Sequence, residues 1–173
     1  MNDHSRGPQP QECMELRGLQ KGEPWQVQID VYLDSVEPLK FRVESCLPQK
    51  DQNGEKYVIF ENKLRPGFRI LFQLHTMTGE DPATEGYAFP KRGDDAIWSR
   101  IGEECPREYC ENKVFQPERV VEPDRTTLVV RFENKEAIGD FRYTLNLVKS
   151  GAEPLQLDPG GTGMNGQSNP LQR

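Results

Sequence analysis

The chain is poor in the residues that carry most recognisable chemistry. Its 173 residues include 2 histidines and 4 cysteines, and the histidines, His4 and His75, lie far apart. A blue-copper site needs two His, one Cys and usually an axial Met. No histidine follows Cys105 or Cys110, which excludes that electron-transfer chemistry. There is no GxSxG, P-loop or dinucleotide fingerprint, hence no nucleophile elbow or phosphate cradle. His75 also lacks a Ser or Asp at the spacing of a hydrolase triad.

Long apolar runs are missing as well. Residues 1–22 contain no stretch of the roughly 7 to 15 apolar residues that a secretory signal requires. No window approaches the roughly 18 consecutive apolar residues of a membrane span, and the mean hydropathy is −0.80. These absences predict a soluble cytoplasmic protein without membrane association. Positive charge is in deficit: 22 Lys and Arg against 28 Asp and Glu give a net charge of −6. That field repels phosphate backbones, so the expected partners exclude nucleic acid. Arg65, Arg69, Lys91 and Arg92 read as a solvated sheet face rather than a basic patch.

What the sequence does have is concentrated. All but five of its Leu, Ile, Val and Phe residues lie between Glu23 and Lys149. The expected organisation is a polar N-terminal segment at 1–23, one β domain at 24–149, and a flexible C-terminal tail at 150–173 rich in Gly and Pro. Within the domain the dominant period is two. Trp25, Val27, Ile29, Val31 and Leu33 alternate with polar neighbours, as do Leu39, Phe41 and Val43, with Glu37-Pro38 marking the turn between them. Tyr57 to Phe60 reads as a short buried strand. Phe68 to His75, Thr126 to Phe132 and Phe141 to Leu147 follow with the same alternation.

No window of about ten residues carries a 3.6 period. About seven strands without crossover helices predict an all-β fold, an antiparallel β-sandwich. Leu128-Val129-Val130, a loop containing Gly139, and Phe141-Arg142-Tyr143 resemble the strand–corner–strand segment of immunoglobulin-like sandwiches. In those domains a Cys usually stands two residues beyond the tyrosine, where this chain has Leu145. The resemblance therefore implies an immunoglobulin-like architecture and no particular function.

Four residues separate the sulfurs in Cys105-Pro-Arg-Glu-Tyr-Cys110, which fits neither a redox CxxC nor a zinc ribbon. Cys105 and Cys110 read as ordinary loop thiols, with a loop-closing disulfide as the alternative, and Cys46 as a small buried residue. The carboxylate pairs Glu80-Asp81, Asp94-Asp95 and Glu103-Glu104 lack the spaced pattern of a calcium loop and read as solvated charge. Arg92-Gly93-Asp94 spells the adhesion tripeptide, a short match without an export signal.

Residues 76–113 hold Tyr87, Phe89, Trp98 and Tyr109 among glycines, prolines and acidic pairs. A long irregular stretch inside a compact domain is usually functional. The expected binding surface is therefore here, built on those four aromatics. The resulting reading is a noncatalytic interaction or ligand-binding domain, for a protein or a small molecule, with no cofactor and no metal. The alternative is a metal-binding or thiol-dependent protein using His75, Cys105 and Cys110. It requires partners for each group that the sequence does not supply, so an enzyme is the less favoured class.

Overall fold

The protein is described from a computed structural model, which defines residues 26–45, 49–52, 55–59, 69–101, 106–110, 114–132, 141–157 and 166–167. The expected N-terminal segment 1–23 lies outside them. Almost every described element is a strand, so the all-β expectation holds. Strand β1 (Gln26–Ser35) shows strict alternation, with Val27, Ile29, Val31 and Leu33 buried. It turns at residues 36–39 into β2 (Lys40–Ser45), which buries Phe41 and Val43. Next come β3 (Gln49–Gln52), β4 (Glu55–Ile59) and β5 (Arg69–His75), the last burying Ile70, Phe72 and Leu74.

A 3-10 turn (Pro82–Thr84) and one helical turn, α1 (Gly93–Ala96), precede β6 (Ile97–Ile101). The chain then forms β7 (Phe115–Val120), β8 (Thr127–Phe132), β9 (Phe141–Leu147), β10 (Leu155–Leu157) and β11 (Gly166–Gln167). A five-stranded sheet has the order β2-β1-β5-β8-β7, a three-stranded sheet the order β10-β9-β6, and β11-β4-β3 form a third.

The first two sheets share one core. Tyr143 of β9 packs its ring 5.8 Å from that of Phe72 on β5 and 5.4 Å from that of Phe115 on β7. Phe115 also meets Phe141 edge-on at 5.7 Å, a favoured geometry because a positive ring edge faces a negative ring face. The residues that alternate with these core side chains face away from it, and they carry the polar chemistry described below.

The structure departs from the expected pattern in three places. The large sheet is not purely antiparallel, since β1 and β5 run parallel, with Gln26 opposite Arg69 and Tyr32 opposite His75. Strand β5 begins opposite the start of β1, the end at which β2 finishes, and from there it runs with β1. Strand β7 carries Pro117, a residue that argues against a central strand. It lies at the sheet's edge, where the pairing with β8 shifts between Pro117 and Arg119 and where proline is tolerated. Finally, the expected tail does not begin at residue 150. Leu155, Gln156 and Leu157 pair with Leu147, Asn146 and Leu145, and Leu157 is fully buried. Two apolar residues are enough when a neighbouring strand already offers its free edge.

Candidate functional site

The described residues of the segment 76–113 divide into a part that belongs to the core and a part that lies outside it. Tyr87 and Phe89 are buried, at 4% and 0% exposure, and the bridge between Ala88 and Val148 ties this stretch to the chain just beyond β9. The Tyr87 hydroxyl donates to the Glu153 carbonyl at 3.0 Å. These two aromatics therefore do not contribute to the surface expected of them. Asp81, read from sequence as solvated charge, is a structural cap: its carboxylate accepts from the backbone N–H of Val36 at 2.8 Å and of Ala83 at 2.9 Å. Those donors hold the Asp81 carboxyl below the usual aspartate range. Gly79 passes so close to the Asp34 carbonyl that a Cβ there would clash with backbone.

Trp98 and Tyr109 lie on the other side of the small sheet. Because Tyr143, Leu145 and Leu147 point into the core, Thr144 and Asn146 of β9 face outward, as does Trp98, which is paired with Thr144. Both β9 residues are nonetheless buried, because two pieces of chain cover them. The α1 turn covers one end: Asn146 Nδ2 donates to the Asp95 carbonyl at 3.0 Å, and Trp98 Nε1 to the Asp94 carbonyl at 3.1 Å.

Residues 106–110 cover the other end as a strap. Thr144 Oγ1 donates to the Pro106 carbonyl at 2.6 Å. Gln156 Nε2, on β10, donates to the Arg107 carbonyl at 3.0 Å. The Cys110 thiol, 3.4 Å from the Ser99 carbonyl, returns the strap to β6. All three strands of the small sheet thus hold one short segment. At its middle stands Tyr109, 64% exposed, the most exposed large apolar side chain among the described residues. Cys110 is a free thiol, and burial pushes its pKa up. Cys105, Cys46 and the pair Glu103-Glu104 lie outside the described residues.

The chain matches no family model, no curated protein and no solved structure.

His75 belongs to a different constellation, on the outward face of the five-stranded sheet. Its Nε2 is 2.9 Å from Asp30 Oδ1, and its ring stacks on Tyr32 at 4.7 Å with planes 15° apart. Arg42 lies over the Tyr32 ring from the β2 side at 4.6 Å and donates from Nε to Asp34 at 2.8 Å. That guanidinium holds the Asp34 carboxyl below its ordinary range, helped by the Thr78 hydroxyl. Of the set His75, Cys105 and Cys110, the shared core separates His75 from Cys110, and Cys105 lies outside the described residues. Among the described residues no three His, Cys, Asp or Glu side chains are grouped as metal ligands would be. With neighbours on both sides, Tyr32 has no free ring face to serve as a platform. The sequence held a signal for this network in its outward alternation of 30, 32, 34 and 42, but the parallel neighbour β5 was needed to add His75.

Proposed function

We propose that the chain is a noncatalytic binding module, a β-sandwich of immunoglobulin-like type, whose recognition surface is the 106–110 strap with Tyr109 as its anchor, on the same outward face of the small sheet as Trp98. The observation that carries this reading is the combination of exposure and restraint at Tyr109. An aromatic ring left largely in water forgoes hydrophobic stabilisation. Here it stands on a segment tied by hydrogen bonds from Thr144 and Gln156. Such a ring loses little conformational freedom on association, which makes it suited to enter a pocket on a partner protein.

No helix among the described residues is long and apolar enough to cross a membrane. The net charge of −6 favours partners other than nucleic acid, and the free Cys110 thiol suits the reducing cytoplasm. The immunoglobulin-like assignment rests on two sheets sharing a core and on the β8–β9 segment, with the parallel β1–β5 pair as its departure from that superfold.

The test is a photo-crosslinking residue at position 109, and at the exposed Glu122 as a control, in extract of the native cell. A protein captured from 109 alone is then purified and its affinity measured against the intact chain and Tyr109→Ala. A loss of about tenfold or more is expected. Equal affinity for the two chains would refute the assignment of Tyr109.

A further inference from the structure

Among the described residues the large sheet has two outermost strands, β2 and β7, and they are unlike. Pro117 and the register shift beside it interrupt β7, as in an edge protected against pairing. Strand β2 is six residues of unbroken alternation, Lys40 to Ser45. Its apolar residues Phe41 and Val43 each keep 8% exposure, whereas β1 next to it buries Ile29, Val31 and Leu33 completely. On its outward face the charges run Lys40, Arg42, Glu44, positive to negative along the strand.

We propose that β2 is a homodimer interface, in which a second copy of this chain adds its own β2 antiparallel across a two-fold axis at Val43. The argument is charge complementarity under symmetry. A symmetric antiparallel pair must keep the apolar face of both copies toward the core, so the axis passes through a residue and not between two. Centred on Phe41, the pairing sets Lys40 against Arg42 of the second copy. Centred on Arg42, it sets two guanidinium groups face to face. Centred on Glu44, it opposes two carboxylates.

Only the axis at Val43 places Arg42 opposite Glu44 twice and no like charges opposite each other within β2. Directly opposed unlike charges stabilise a strand pair, and like charges destabilise it. The side chains are free to respond: Arg42 is 50% and Glu44 60% exposed, and they meet within one chain only at 3.4 Å. The guanidinium uses Nε and Nη2 on Asp34 and reaches Glu44 of its own chain through Nη1 at 3.4 Å, so Nη1 is the donor that the second copy's Glu44 would engage. On the inner face the same register sets Val43 against Val43 and Phe41 against Ser45, extending the core across the axis.

Sedimentation equilibrium of the full chain tests this, with Arg42→Glu and Glu44→Arg prepared separately and near-ultraviolet circular dichroism confirming that each is folded. The wild type is expected to form a reversible dimer that weakens with salt. Each variant alone opposes like charges and is expected to raise the dimer dissociation constant by about tenfold or more. An equimolar mixture of the two variants sets Glu against Arg at both contacts and is expected to recover the dimer as a heterodimer. A wild type that remains monomeric, a dimer indifferent to both substitutions, or a mixture that stays dissociated would each overturn the proposal. If Arg42→Glu does not fold because Asp34 loses its partner, Glu44→Arg alone still decides, since that change leaves the Arg42–Asp34 pair in place.

Discussion

Thr144 donates its hydroxyl to the Pro106 carbonyl at 2.6 Å, on the side of β9 that faces away from the core. Both groups are buried, so the bond has no water to replace it. It couples the middle strand of the small sheet to the strap that carries Tyr109, and the stability of the one sets the order of the other.

Replacing Thr144 by Val keeps the side chain's shape and removes the donor, leaving a buried carbonyl without it. The expected cost is about 1–3 kcal/mol in denaturant unfolding. Amide exchange should rise at residues 107–110 more than in β5. Uniform loss of protection across the protein would show that the strap is not held by this bond.

Tyr109→Ala is expected to change stability by less than about 0.5 kcal/mol, as is usual for a surface position. Thermal unfolding beside the wild type measures this directly. A large loss would mean that the ring packs on the fold and is not presented by it.

Phe72 and Leu145 sit in the shared core, at 0% and 1% exposure. Truncation to Ala should cost about 3–5 kcal/mol at Phe72 and about 2–5 kcal/mol at Leu145, from lost burial plus the cavity left behind. Leu157→Ala should fall in the same range as Leu145→Ala, although it lies beyond the apolar stretch of the sequence. A chain ending at Lys149 should accordingly lose stability. Unchanged unfolding of that shortened chain would show that β10 adds nothing to the core.

Asp34 and Asp81 both have carboxyls held below the ordinary aspartate value, by Arg42 and by the backbone donors of Val36 and Ala83 respectively. A carboxyl lowered on folding contributes stability that is fully present above the unfolded value of about 3.9 and is lost as pH falls through the folded values. Stability should therefore decline on the acid side of that window, and less so in Asp34→Asn, measured by denaturant midpoints across pH. An identical decline in the variant would remove Asp34 from the account.

Cys110 is held in the thiol form by burial, and the thiolate is the reactive species. Iodoacetamide should label it more slowly in the native protein than after unfolding, read by peptide mass spectrometry at about pH 8. Equal rates would place the thiol in open solvent.

The sequence by itself determined which stretches of β1, β2, β5, β8 and β9 are extended and which face each one buries. Alternation with period two is a local property, and the pleat turns it directly into two faces. It also grouped Trp98 and Tyr109 with Tyr87 and Phe89 as one expected binding surface. What only the tertiary structure decided is where the outward residues go. Tyr87 and Phe89 have the composition of a surface cluster, yet the bridge from Ala88 to Val148 draws them inward. Leu155 and Leu157 are too few to mark a strand alone, but the free edge of β9 supplies the missing hydrogen bonds. Thr144 reads as the wet face of a strand until the strap closes over it. In each case the deciding contact joins residues distant along the chain, and burial by a distant segment leaves no period in the local sequence.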